Sequence, residues 1–359
     1  MKPGASFVRI REVERQAWDW LRVLVSQRNG RTHQDGLLPH LPGRVMLTGT
    51  GRAALRVILE HLTQDGILKN KNSQILVPQW LCQGVLQTMH RFCFPTLEAT
   101  ASTVGVLVYH QYGYPQRMDE IAETCRRNHW IMIEDCANVY DSSYQGQPLG
   151  SFGLASIFSF SKLFPSVLGG ALVSSHQPLI QFCEQRLAAH APLVSHLGYA
   201  SKWLAEYADA GWLSLPAARL QAMVYGVIDE AFAMKPLSLR LISAALQRGA
   251  MDARRRNYWQ LLDAFSDRPE YFAGLERDGV IPYVVPLFES VDRLAPMVRA
   301  LRRINVVTGI YHFDVNRNLL NPRFEPCAWI PIHPGLNEER MAMICRSIRD
   351  AAAPRAASA

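Results

Sequence analysis

Lysine is scarce in this 359-residue chain. Only Lys2, Lys69, Lys71, Lys162, Lys202 and Lys235 occur, and almost all of the +7 formal charge comes from arginine. The basic residues are dispersed apart from Arg254-Arg255-Arg256. No basic tail is interleaved with aromatics, so no nucleic-acid partner is expected. A phosphorylated or nucleotide-bearing small substrate fits the same charge. No apolar run reaches the ~18 residues of a membrane-spanning helix, so no membrane partner is expected either. The opening segment MKPGASFVRIREVERQAW carries charges too early and has no apolar core, which argues against a secretion signal. The seven cysteines, Cys82, Cys93, Cys125, Cys136, Cys183, Cys327 and Cys345, form no CxxC pair and no zinc-like cluster. No metal site is therefore expected. An odd, scattered set of this kind suggests reduced thiols and a cytoplasmic protein.

What is present is an ordinary globular composition, 48% hydrophobic and 19% charged. The length allows one large domain and a second, smaller one. Helical spacing of apolar residues covers 11–29, the stretch after Gly51 as far as Leu62, 118–129 and 251–265. Strand-like runs are SQILVPQW (73–80), TVGVLVYHQYG (103–113), WIMIED (130–135), LASIFSFS and GGALVSS. This alternation predicts an α/β domain with a mostly parallel sheet covered on both faces. In such sheets chemistry gathers at the carboxyl ends of strands. His110, Asp135 and Lys162 all fall at such ends. Residues 180–250 are expected to be mainly helical, with Trp203 and Trp212 as packing residues. After them, VIPYVVPLF, DRLAPMVRALRRINV, WIPIHPGL and NEERMAMICRSIRDAA alternate strand and helix again. The expected organisation is a large domain over 1–245 and a small C-terminal α/β domain over 246–359.

The first glycine loop, Gly49-Thr50-Gly51-Arg52-Ala53-Ala54, stands between a strand and a helix and matches the dinucleotide pattern G-x-G-x-x-G/A. That pattern also needs an acid at the end of the next strand to bind the ribose. Here ILVPQW ends in proline, glutamine and tryptophan. A second reading is a cradle for one phosphate at a helix N-terminus, and a third is packing alone.

Asp135 closes the apolar strand IMIED, and Lys162 follows 27 residues later, directly after FSFS. Each has a plain alternative: the acids as caps or loop residues, the lysine as a surface charge. Together with a phosphate cradle they fit pyridoxal 5′-phosphate. Its aldehyde needs a lysine amine, and its ring nitrogen needs a carboxylate to stay protonated.

The stretch IEDCANVYDSSYQGQPLGSFGLASIFSFSKLFPSVLGGALVSS resembles the core of the DegT/StrS-type sugar aminotransferases, fold-type I enzymes that use pyridoxal phosphate. Their strand end IED-A-H, lysine strand FSF…K and GG turn are all mirrored. TGTGRAALRVIL looks like their SGTAAL phosphate helix, and ILVPQWLCQGVLQTM like their VLVP-Y-T strand. VYHQYGYPQRMDEIAE is similar to VHLYG-P-DMD-I, and WIPIHPGLNEERMAMI to LPLHPGL-EE. The likeness is colinear over roughly residues 42–350.

The resemblance implies a fold-type I α/β architecture, a Schiff base on Lys162 and a pyridinium partner in Asp135. It implies phosphate contacts from Gly51, Arg52 and Ser159, and Asn138 near the phenolic oxygen. Ring stacking falls to Cys82 by position and to Trp80 by chemistry. It implies an amino donor, expected to be glutamate, a carbonyl acceptor on a sugar nucleotide or secondary metabolite, and a homodimer. The chain departs from the family in three of these positions. Arg52 stands where threonine is usual, Asn138 where histidine or glutamine is usual, and Ser159 precedes Lys162 by two residues fewer. No GYN segment is visible in DEAFAMKPLSLRL. Another reaction on the same cofactor (elimination, decarboxylation or carbon–carbon bond formation) and a degenerate binding protein are the competing functions. His110 and His333 are as well explained as structural histidines. Tyr311-His312-Phe313 are a minor candidate for substrate contact, with a structural role the main expectation, and Arg254 to Arg256 are expected on a solvated helix face.

Overall fold

The structure is a computed structural model that describes residues 41–189, His196 and residues 230–352. The helices expected at 11–29 and through most of 190–229, with Trp203 and Trp212, lie outside the described residues.

Seven strands form the central sheet: β1 (Arg44–Thr48), β2 (Gln74–Leu76), β3 (Phe94–Thr96), β4 (Thr103–Tyr109), β5 (Ile131–Cys136), and, after a two-stranded ribbon of β6 (Ser143–Tyr144) and β7 (Gln147–Pro148), β8 (Ala155–Phe158) and β9 (Gly170–Ser174). Their order is β1-β9-β8-β5-β4-β2-β3. Strands β8, β5, β4, β2 and β3 run parallel, whereas β9 is antiparallel to both β8 and β1. The sheet is therefore mostly parallel, and its interior strands β8 and β9 are buried along their whole length, as cover on both faces demands. The dinucleotide reading fails here. It needs β1 and β2 side by side in one βαβ unit, and four strands separate them.

The helix Gly51–Gln64 explains itself. Thr50 caps it by accepting the Ala53 N–H at 3.0 Å, and Leu55, Val57, Ile58, Leu59 and Leu62 are fully buried against the sheet. Each such side chain contributes about 1.5–3 kcal/mol. The helix is keyed to its neighbour Gln177–Ala188 by Glu60, which accepts from Arg56 at 2.7 Å and from Arg186 at 2.9 Å. One end of this helix is thus held while its N-terminus meets the carboxyl ends of the strands.

The C-terminal part is built on a three-stranded sheet of β10 (Val284–Phe288), β11 (Ile310–Asp314) and β12 (Phe324–Pro331), ordered β10-β12-β11. Both pairings are antiparallel. Helices Ala250–Ala264, Val291–Arg303 and Glu338–Ala352 bury Leu261, Leu294, Leu301, Met341 and Ile344 in the core this sheet helps to form. The helix Pro236–Gln247 instead sends Leu239 and Ile242 into the core of the large sheet.

Candidate active site

Three strand ends converge. Asp135 is the register partner of Tyr109 on β4 and of Ile157 on β8, and Cys136 pairs with Phe158. Asp135 is buried, with only 3% of its surface exposed. Its Oδ1 accepts the Ala137 N–H at 2.9 Å. Burial pushes this carboxyl above its ordinary range, and the Lys162 charge is the largest influence pulling it back. The lysine and the aspartate are thus brought within electrostatic reach of each other.

Lys162 is half-buried on a single helical turn, Phe160–Leu163, that begins at Ser159. The Lys162 N–H donates to the Ser159 carbonyl at 3.1 Å. Ser159 in turn lies against the start of helix Gly51–Gln64. A Cβ on Gly51 would stand 3.4 Å from the Ser159 Cβ and 3.1 Å from the Phe158 carbonyl oxygen. Gly170 closes the other side, since a Cβ there would sit 2.4 Å from the Gly51 nitrogen. Glycine at 170 is therefore more than a tight return: it lets β9 pass under the helix start. The first N–H groups of an α-helix have no acceptor within the helix and carry the positive end of its dipole. Gly51 and Ser159 thus lie against each other at the start of this helix, with Gly170 closing the other side.

Asn138 is buried, and the Tyr109 hydroxyl donates to its Oδ1 at 2.5 Å. Tyr109, beside Asp135, was not singled out from sequence. Its phenol is pushed well above the ordinary range by burial first and by the Asp135 charge second, so it stays protonated. Trp80 and Cys82 are exposed. One face of Trp80 lies on His312 of β11, with ring centroids 5.7 Å apart and planes 5° from parallel, and Phe324 meets it edge-on. Trp80, Tyr109, Gln111, Gln116, Asp314 and Phe324 line one cavity between the two sheets. The two glutamines stitch those sheets together. Gln111 donates to the His312 carbonyl at 2.9 Å and accepts from the Asp314 N–H, and Gln116 accepts from the Leu319 N–H. The polar residues at the end of the VYHQYGYPQ strand were the only sequence signal for this.

Glu134 points away from the site. Its carboxylate, fully buried, accepts the N–H groups of Gly150, Phe152 and Gly153 at 2.8, 2.7 and 3.0 Å. His110 Nε2 lies 3.2 Å from it, while Nδ1 accepts the Gln116 N–H at 3.3 Å. That acceptor role leaves the ring proton on Nε2, facing Glu134. His110 is a structural histidine with both nitrogens engaged. Cys136 lies close to this pair, but the geometry is that of a loop anchor.

Arg254 corrects an expectation. It is fully buried, not solvated. Its Nη1 donates to the Tyr283 carbonyl at 2.8 Å, and its Nη2 reaches the Leu163 carbonyl at 3.5 Å. Arg255, next to it, does lie on the exposed face, paired with Asp252 and Asp141. Leu163 follows Lys162 directly, so Arg254 ties the lysine turn to the C-terminal part.

Residues 97–202 match the model of the DegT/DnrJ/EryC1/StrS aminotransferase family. A GDP-perosamine synthase of Escherichia coli O157:H7 is 35% identical over 97 residues, covering 25% of this chain and 27% of that protein. An L-glutamine:scyllo-inosose aminotransferase of Streptomyces griseus is 36% identical over 77 residues, covering 21% of this chain and 18% of that one. The chain spans at most half the length of the first of these curated relatives. The fold is similar along its whole extent to Helicobacter pylori PseC, an aminotransferase involved in the biosynthesis of pseudoaminic acid. The TM-score is 0.67 at 14% identity, over 97% of this chain and 98% of that one. DesI, solved in the presence of its TDP-sugar product, matches with a TM-score of 0.66 at 15% identity, over 97% and 93%. The fold is thus that of these solved aminotransferases, and over residues 97–202 the chain resembles the DegT/DnrJ/EryC1/StrS aminotransferase family.

Proposed function

We propose that the chain is a pyridoxal phosphate-dependent aminotransferase. It moves an amino group from an amino acid, glutamate in our reading, to a carbonyl of a sugar nucleotide or a secondary-metabolite intermediate. One observation carries this reading: Lys162 and Asp135 are electrostatically coupled at adjoining strand ends, beside the helix start at Gly51. The names of the relatives, a perosamine synthase and a scyllo-inosose aminotransferase, support the class of acceptor.

The residues fit the cofactor chemically. Gly51, Arg52 and Ser159 would take its phosphate, Asp135 its ring nitrogen, Lys162 its aldehyde carbon and Asn138 its phenolic oxygen, with Trp80 or Cys82 beside the ring. Bound pyridoxal 5′-phosphate supplies an electron sink for the pair released when the substrate Cα–H bond breaks. Asp135, buried away from bulk water, would hold the proton on the ring nitrogen. The Lys162 Nζ would take the proton from the substrate Cα and hold it for return, the general acid–base role open to an amine at that place. The buried floor of Asp135, Ala137 and Asn138 keeps solvent protons from competing.

We further propose a homodimer in the cytoplasm, as the fold resemblance implies. All seven cysteines are free, which suits a reducing compartment. No helix among the described residues is long and apolar enough to cross a membrane.

Purified protein mixed with pyridoxal 5′-phosphate is expected to develop a visible absorbance band that glutamate or glutamine abolishes and a keto acid restores. Borohydride reduction and peptide mass spectrometry should place the label on Lys162. A Lys162→Ala protein that keeps both band and turnover overturns the assignment. Products formed without an amino donor would favour a different reaction on the same cofactor.

A further inference from the structure

Two departures from the family pattern touch each other. When YHQYG (109–113) is laid on the VHLYG segment, Tyr109 stands at the valine and Asn138 at the usual histidine or glutamine. The Tyr109 hydroxyl donates to Asn138 Oδ1, and its strand register sets it beside Asp135. Tyr112 holds the left-handed region, φ 57 and ψ 14, which a bulky residue occupies only where its surroundings enforce it. Gly113 follows at φ 91, and a Cβ there would lie 2.7 Å from the Asn138 carbonyl oxygen. The turn is thus pressed onto the asparagine it helps to orient.

This arrangement has a polarity. The buried phenol keeps its proton and spends it on Asn138 Oδ1. Asn138 therefore presents Oδ1 to Tyr109 and has both Nδ2 hydrogens to give elsewhere. The substitution pattern of the cofactor decides what receives them. Its phenolic oxygen is borne next to the aldehyde carbon, across the ring from the phosphate arm. The proposed phosphate site lies over β8 and β9 and the ring-nitrogen partner on β5, so the oxygen falls on the β4 side, where Tyr109 and Asn138 stand.

Resting on the proposed cofactor, we infer that Tyr109 is a positioning residue: through its hydroxyl it fixes the Asn138 amide so that the amide hydrogens bond the cofactor's phenolic oxygen in its ionised form. The pair replaces, with two shorter-reaching groups, what one longer side chain does at position 138 elsewhere in the family.

The test is a visible pH titration of the pyridoxal phosphate-loaded protein for the wild type, Tyr109→Phe, Asn138→Ala and the double variant. Losing a donor to an ionised oxygen favours its protonated form, so Tyr109→Phe is expected to raise the spectral midpoint by about one pH unit. It should lower kcat several-fold with little change in the donor KM. In the Asn138→Ala background it should shift nothing further. An unmoved midpoint, or an equal shift in both backgrounds, overturns the proposal while the functional reading stands. A wild-type chain that takes up no pyridoxal phosphate overturns both. Should Tyr109→Phe not fold, Asn138→Asp serves instead. It keeps an acceptor for Tyr109, deletes the amide hydrogens and is expected to raise the midpoint; no rise overturns the proposal.

Discussion

Replacing Glu134 by glutamine exchanges one oxygen for an NH2 group and should be among the most damaging isosteric changes available to this fold. Four donors converge on the carboxylate: the N–H groups of Phe152 and Gly153 on Oε1, and the Gly150 N–H with His110 Nε2 on Oε2. None of these donors can turn into an acceptor. The three backbone groups have no choice. His110 has none either, because a proton moved to Nδ1 would face the Gln116 N–H. Whichever way the new amide is turned, its NH2 meets two donors. Two hydrogen bonds to a charged group, each worth about 1.5–3 kcal/mol, are lost, and the other two weaken to neutral strength. Relief from burying a charge offsets part of this. The expected loss is about 3–5 kcal/mol, or roughly 4–7 °C in Tm for a chain of this length.

The assay is urea unfolding of the cofactor-free protein, read as a change in midpoint at constant slope. The consequence should extend to the site, since residues 150–153 lead into β8 and so into Ser159 and Lys162. Affinity for the proposed cofactor should fall with stability although the contacts of Glu134 are to the 150–153 loop and His110. A Glu134→Gln protein within about 1 kcal/mol of the wild type refutes the anchoring role, because no combination of the four contacts gives so small a loss.

Arg254→Met should cost about 2–4 kcal/mol and loosen the Lys162 turn, while Arg255→Met on the exposed face should change stability by no more than about 0.5 kcal/mol; equal effects in urea refute the assignment. Asp135 is an acid whose folded pKa is raised, chiefly by burial, so its contribution is present below its unfolded pKa and is lost as pH rises through the folded value. Asp135→Asn should therefore stabilise the cofactor-free protein at neutral pH, with the gain fading in acid, and weaken pyridoxal phosphate binding; a lower neutral-pH Tm for the variant refutes this. Burial pushes the Cys93, Cys183 and Cys327 thiols up to about 12, whereas Cys82 is exposed, so a disulfide reagent should find one fast thiol in the native chain. Several fast thiols would refute the buried placement of the rest.

Much of the frame was legible because it depends on local pattern. IMIED is a buried strand wherever it stands, and the Thr50 cap with the apolar spacing behind it specifies a helix. What escaped depends on partners distant in sequence. Nothing local tells that β1 will pair antiparallel with β9, 126 positions away along the register. An Arg-Arg-Arg run looks solvated until carbonyls of Leu163 and Tyr283 are brought to its first member. His110 was ambiguous because its role is decided by Glu134 and Gln116 together. Strand β11 was missed because IYHFD is a five-residue edge strand whose first three residues are not buried. Tyr109 looked like strand filler; only its hydroxyl matters, and its partner lies 29 residues on.

The shortened spacing between Ser159 and Lys162 has a physical reading in the same terms. Three residues in an extended strand advance about 10 Å, whereas three in a helical turn advance about 4.5 Å. The chain leaves β8 directly into the turn Phe160–Leu163, so the lysine is wound back toward the serine instead of being carried beyond it. A missing pair of residues thus shortens the path without lengthening the reach required of the side chain. A single turn, however, has too few hydrogen bonds of its own to hold an amine in place. External support comes from two sides: the Gly169 carbonyl, which the Ser161 N–H meets at 3.5 Å, and Arg254, which holds the Leu163 carbonyl from the C-terminal part. In this chain the position of Lys162 is therefore coupled to the C-terminal part through a buried arginine. Any substrate that shifts the helix Ala250–Ala264 should be felt at the lysine before it is felt at Asp135, whose own support comes from the Ala137 N–H and the strands beside it.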